Sequence, residues 1–176
     1  MQSATLETRK RIEQATTPLL GKVLWKCSRA ADLAAFHFGA RRDVTDSRSK
    51  IVQVGEYALH VQCAWRIARR DKVIVGNGDL YYPRDLTVED SPPNFDWDKG
   101  PNRRDELFRL LFEDGRRQFV VRKIDVGSAS CLQITMDDEL SLDVLPNDSL
   151  TDEYWRLFKP SSDDPHFVVS GRGIHQ

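Results

Sequence analysis

Two stretches of this chain read alike. "AWRIARRDKVIVGNG" (Ala64–Gly78) and "YWRLFKPSSDDPHFVVSGRG" (Tyr154–Gly173) both run Trp-Arg-aliphatic, a polar spacer, a short apolar run and a glycine pair. The correspondence continues upstream in the same order. "KVLWKCSR" (Lys22–Arg29) matches "FVVRKIDV" (Phe119–Val126). "LAAFHF" (Leu33–Phe38) matches "SCLQITM" (Ser130–Met136), with Phe36 and Phe38 in the places of Ile134 and Met136. "EYALHV" (Glu56–Val61) matches "ELSLDV" (Glu139–Val144), aligning Leu59 with Leu142 and Val61 with Val144; Trp65 then aligns with Trp155 and Arg66 with Arg156. Loop lengths differ most, and surface loops tolerate that cheaply.

A duplicated unit constrains the fold. A lone helix over a short antiparallel meander buries too little apolar surface to be stable, whereas two copies can share one core. The expected fold class is therefore α+β, with two related halves, each a helix plus an antiparallel β-meander. Residues 1–78 form the first half, 79–100 a crossover linker and 101–176 the second, in one compact unit. Coincidental alignment of two unrelated meanders is the alternative.

Periodicity supplies the elements. Thr5–Leu20 reads as a helix ending before Pro18, with a thin stripe of Leu6, Ile12 and Ala15. Lys22–Arg29 and Asp32–Gly39 read as two strands, followed by a polar loop, "ARRDVTDSRSK". Gly55–Ala68 alternates as a single strand, with Tyr57, Leu59, Val61, Cys63, Trp65 and Ile67 on one face. "RRDK" turns the chain into the return strand "VIVGNG", whose glycines read as turn residues. The Asp79–Gly100 segment has no period, and its Tyr81, Tyr82, Phe95 and Trp97 suggest a linker packed against the body. In Pro101–Gly115, Asn102 is placed to cap a helix, Leu107, Phe108, Leu111 and Phe112 form its apolar stripe, and Gly115 supplies its stop.

Charge narrows the function classes. The 26 basic and 27 acidic side chains leave none of the cationic excess a nucleic-acid binder uses, so no nucleic-acid partner is expected. No apolar run reaches the length needed to span a bilayer, and the polar N-terminus has no signal-peptide core; the expectation is a cytoplasmic protein without a membrane partner. Three widely spaced cysteines without a CxxC pair fit reduced, buried thiols rather than disulfides or zinc ligands. Phosphate-loop, zinc-protease, nucleophile-elbow and EF-hand motifs are absent from the sequence, and no cofactor is expected.

One constellation has chemistry in it. Antiparallel pairing of Asp32–Gly39 with the strand from Gly55 sets Phe38 opposite Tyr57, His37 opposite Ala58 and Ala35 opposite His60. His37 and His60 become diagonal neighbours on the face away from the core. Gln62 and Arg66 lie further along that face. Gln133, Thr135, Ser141, Asp143 and Arg156 occupy the equivalent side of the second half. Two histidines lack the third protein ligand that zinc normally has, and no nucleophile is expected beside them. Arg66 and Arg156 are expected to pair with carboxylates such as Glu56, Glu139 or Asp143. His37, His60, Gln62, Arg66 and Arg156 are the candidate binding residues; no catalytic or metal-binding residue is assigned.

At "GEYALHVQCAWRI…VIVGNGDLYYP" and "YWRLF…HFVVSGRG" the chain resembles small bacterial proteins of unknown function that carry such Trp-Arg strands. Some of these are similar to immunity proteins that neutralise polymorphic toxins. The resemblance implies a non-enzymatic role and brings no catalytic residues. The leading expectation is a protein-binding module, with a protein partner or self-association. The alternative is a small-molecule-binding protein or enzyme using the His37/His60/Arg66 face.

Overall fold

The computed structural model describes residues 2–46, 48–85, 95–113 and 118–175. Helix α1 (Gln2–Thr16) leads through a 3₁₀ turn at Thr17–Leu19 into β1 (Val23–Ala30), β2 (Leu33–Thr45), β3 (Ile51–Val61), β4 (Ala64–Arg69) and β5 (Lys72–Gly76). A 3₁₀ turn over Asn77–Tyr81 follows, where the sequence suggested only a polar turn. Helix α2 (Arg103–Phe112) precedes β6 (Phe119–Val126), β7 (Leu132–Met136), β8 (Leu140–Leu145), β9 (Glu153–Phe158), β10 (Phe167–Ser170) and β11 (Gly173–His175). The architecture is α+β and mainly antiparallel sheet. No helix among the described residues is long and apolar enough to cross a membrane.

The strands are ordered β11-β10-β9-β3-β2-β1-β6-β7-β8-β4-β5. The two wings join through a short β1–β6 pairing, Val23 with Val120 and Leu24 with Phe119. Each wing then takes its outer hairpin from the other part of the chain. β4 pairs with β8, not with its sequence neighbour β3, and β9 pairs with β3. The registers agree position by position. Trp65 faces Val144 and Arg66 faces Asp143 in one wing, while Trp155 faces Val61 and Arg156 faces His60 in the other. The helices also cross over: α1 packs on β6, and α2 packs on β1.

This corrects the reading of Gly55–Ala68 as one strand. The chain breaks at Gln62–Cys63, whose two amides both donate to the carbonyl of Tyr154, at 2.9 and 3.2 Å. A two-residue break preserves parity, so Val61, Cys63 and Trp65 still face the core although they serve different wings. The polar loop expected after Gly39 is corrected too. β2 and β3 continue as a ribbon pairing Arg41–Thr45 with Ile51–Gly55, and beyond it the Asp46 amide donates to the Lys50 carbonyl at 2.8 Å. A bulge between Phe38 and Arg41 permits this. Gly39 sits there at φ +79°, and a Cβ on it would lie 2.7 Å from the Glu56 carboxylate. The ribbon is polar because it extends past the covered core.

The core lies between the wings. Phe36 of β2 meets Trp65 of β4 edge-on at 5.1 Å, and Phe108 of α2 stacks on Trp65 at 5.6 Å. Trp65, Trp155, Phe36, Phe38, Leu59, Val61, Leu142 and Val144 are all buried. Asn102 caps α2 by accepting the Asp105 amide at 2.9 Å, and Phe108 and Leu111 face inward. On α1, Ile12 is buried but Leu6 is exposed. In the linker, Tyr81 packs edge-on to Trp97 at 5.6 Å, though Tyr81 and Tyr82 remain about half exposed. The middle of the linker (86–94) and the helix stop at Gly115 lie outside the described residues. Trp65→Ala is expected to cost about 3–5 kcal/mol, the usual loss for a buried large aromatic. Chemical denaturation measures this, and an unchanged midpoint would contradict the packing.

Candidate functional site

His37, on β2, has the expected register: opposite Ala58, with Phe38 opposite Tyr57 and Ala35 opposite His60. It points away from the core yet is only 5% exposed. The small Ala35 and Ala58 leave space beside it. The Trp25 ring lies 6.0 Å away, and the Arg41 guanidinium covers that ring at 4.7 Å. The Gly55 amide donates to His37 Nδ1 at 3.2 Å, and Ser28 Oγ lies 3.1 Å from Nε2. A backbone amide can only donate, so Nδ1 is the bare nitrogen. The neutral ring therefore carries its proton on Nε2 and donates to Ser28. Burial, then the positive charge of Lys26 and the nearby His60, lower the His37 pKa to about 4.

A hydroxyl thus stands beside the histidine, contrary to the expectation of no nucleophile. The hydrogen bond has the wrong polarity for attack, because activating Ser28 needs a bare Nε2 to take its proton. Beside Ser28 is a groove of about 480 Å³ lined by residues including Trp25, Arg41, Asp105, Phe108 and Phe112; His37 is not among them.

His60 lies diagonally from His37 and directly across from Arg156 of β9. Its ring meets Phe158 edge-on at 4.7 Å, and Phe158 stacks on His166 at 4.3 Å. Burial and the Arg156 charge hold the His60 pKa below its ordinary value, with Glu153 opposing. Arg156 makes a two-pronged pair with Glu153, both contacts 2.6 Å, rather than with Glu56, Glu139 or Asp143. Glu56 instead accepts from Lys22, and Glu139 pairs with Arg70.

Arg66 does not join this group. Alternation along one continuous strand placed it with the histidines, but β4 belongs to the other wing. There its Nε donates to Asp143 at 2.8 Å, one of the expected partners, and the Gln133 amide donates to the other Asp143 oxygen at 2.9 Å. Asp143 is buried, while the Arg66 side chain is about half exposed at the edge of a groove of about 300 Å³. Gln62 sits at the strand break, exposed, between the two clusters. Thr135 and Ser141, also noted on the second half's face, lie opposite each other in register.

Several members of these clusters were not read from the sequence. Ser28 follows from counting outward from the tight turn after Ala30, which sets it opposite Ala35. His166 follows from the Leu157–Phe167 register, which brings it to Phe158. Among the described residues no group of three or more His, Cys, Asp or Glu side chains is arranged to hold a metal. The three cysteines are free. Cys63 is buried and its thiol is pushed up to about 12, first by burial, whereas Cys27 and Cys131 are half-buried. The chain matches no protein-family model, no curated protein and no solved structure.

The His37 environment makes stability depend on pH. An unfolded histidine takes up a proton near pH 6.5, whereas folded His37 resists until about 4. The unfolded state binds the proton first, so His37's contribution is complete above about pH 6.5 and is lost as pH falls toward 4. Its scale is about 3 kcal/mol. His37→Asn keeps an acceptor for the Gly55 amide and removes the titration. Its stability should therefore fall less than the wild type's between pH 6.5 and 4 in denaturant titrations. Parallel curves would contradict the assignment.

Proposed function

We propose that the protein is a non-catalytic, cytoplasmic protein-binding module built from two related, interlocked halves, and that its role is of the immunity type. The observation that carries the non-catalytic part is the Ser28–His37 hydrogen bond. Among the described residues it is the serine–histidine contact whose imidazole is buried, and Gly55 fixes that imidazole in the tautomer that cannot act as a base toward Ser28. At the other such contact, Ser170 Oγ to His175 Nε2 at 2.8 Å, the histidine is exposed on the last strand and the serine also has the Gly173 carbonyl within reach at 3.3 Å. The two-halves reading draws support from the matched registers of Trp65 on Val144 and Trp155 on Val61.

The binding reading draws on the outer face of β3 and β9. His60, Phe158 and His166 form a half-buried run of rings beside the Arg156–Glu153 pair. Aromatic rings and arginine are the side chains that anchor protein interfaces. The equivalent positions in the other wing, Asp143 and Arg66, satisfy each other. The two wings thus share a scaffold but not a surface, which fits recognition of a partner more readily than a repeated reaction centre. The resemblance to immunity-type proteins points the same way. The small-molecule alternative loses its single face, because Arg66 and the histidines lie in different wings.

Affinity capture from the native cytoplasm, with mass spectrometry, tests the reading. The wild type is expected to retain one protein partner in near-equal amount. His60→Ala with Arg156→Ala should lower that retention at least about tenfold at an unchanged melting temperature. Equal retention by both proteins, no retained partner, or turnover of a small molecule would contradict it.

A further inference from the structure

Arg104, in the first turn of α2, is fully buried. Its Nη1 and Nη2 donate to the backbone carbonyls of Asp32, at 2.9 Å, and Ala31, at 3.3 Å. Its Nε has no partner, and the guanidinium lies 5.9 Å from the Trp65 ring. Carbonyl dipoles offset only part of a full charge, and a buried cation without a carboxylate in contact is costly. Its position adds to the cost, because the N-terminus of a helix is the positive end of its dipole. Asp105, the adjacent acid, is committed to Arg29 through both of its oxygens.

Arg104 lines a cavity of about 50 Å³, together with Gln62, Cys63, Asn77 and Tyr81. Asn77 Oδ1 accepts the Trp65 amide at 3.3 Å, which leaves its NH₂ group free to donate. Cys63 brings no negative charge: burial keeps it a thiol, and its Sγ donates to the Ala64 carbonyl. The one carboxylate in the lining, Asp32, hydrogen-bonds Arg104 through its backbone, so its charge, like that of Asp105, acts on Arg104 without a direct ion pair. The pocket therefore offers a full positive charge, with the Arg104 Nε unpartnered, and the Asn77 amide as a donor. At roughly 10–15 Å³ per water-sized group, it has room for about four non-hydrogen atoms.

We propose that this cavity is a binding site for a small monovalent anion, a halide ion or an acetate-sized carboxylate, held by Arg104 and Asn77. The site is independent of the protein-binding reading above. Bulky anions do not fit, and this size limit separates specific binding from a general effect of ionic strength.

The test is the melting temperature of the purified protein at pH 7 in sodium chloride, sodium acetate or sodium gluconate at equal ionic strength. An anion held at about 10 mM affinity should raise the melting temperature by about 3 °C at about 100 mM, relative to gluconate. A rise with chloride alone assigns a halide site; a rise with acetate alone assigns a carboxylate site; a rise with both assigns the shared chemistry. Asn77→Asp keeps the acceptor for the Trp65 amide and sets a carboxylate beside Arg104, so it should abolish the difference between salts. Arg104→Met should abolish it too, and either variant suffices if the other does not fold. Superimposable wild-type melting in all three salts would overturn the proposal and leave a water-filled cavity. A salt difference that survives in a folded variant would overturn it as well.

Discussion

The step at Gln62–Cys63 governs the molecule. β3 ends at Val61 and β4 begins at Ala64, yet the two strands lie in different wings. One carbonyl, that of Tyr154, accepts both amides of the step and so ties the crossing to the start of β9, the strand that takes β4's place beside β3. Strand pairing then commits each wing to material from both parts of the chain. Trp65 and Trp155 enter one shared core from exchanged hairpins, and Phe108 of α2 closes over Trp65. Neither wing has a complete core by itself, as expected for units too small to bury enough apolar surface alone.

The same crossing produces the polar clusters. Positions that face one another across β3–β9 carry His60 and Arg156; those across β8–β4 carry Asp143 and Arg66. An acid opposite an arginine closes into an ion pair, here reinforced by Gln133. A histidine opposite an arginine gives it no counter-charge; Arg156 pairs with Glu153 instead, and His60 packs against the Phe158 ring. One backbone arrangement thus yields a satisfied surface on one wing and an aromatic, partly desolvated one on the other. Where α2 enters the crossing, Arg104 lies buried near the same strand break.

Much of the core was legible in the sequence, because alternation reports which face a residue uses. Phe36, Phe38, Leu59, Val61, Trp65 and Trp155 all follow from it, as does the His37–Ala58 register. Alternation does not report which strand lies alongside. A break of two residues leaves parity intact, so Cys63 and Trp65 gave no sign that the chain had changed wings, and Arg66 was grouped with histidines it does not join. The Arg41–Thr45 ribbon was missed because a strand solvated on both faces has no apolar period. Arg104 was missed because an arginine on a helix with an apolar stripe reads as surface. Only the turn at Ala31–Asp32, whose carbonyls it holds, accounts for its burial.

The central claim is that the two parts of the chain complete each other's wings and core. Separate expression of residues 1–85 and 95–176 tests it directly, with near-ultraviolet circular dichroism reporting the packing of Trp65 and Trp155. Neither fragment alone should show a cooperative unfolding transition, and mixing equal amounts should restore the signal of the intact chain. A fragment that is monomeric and unfolds cooperatively by itself, with a native-like tryptophan signal, would contradict the account.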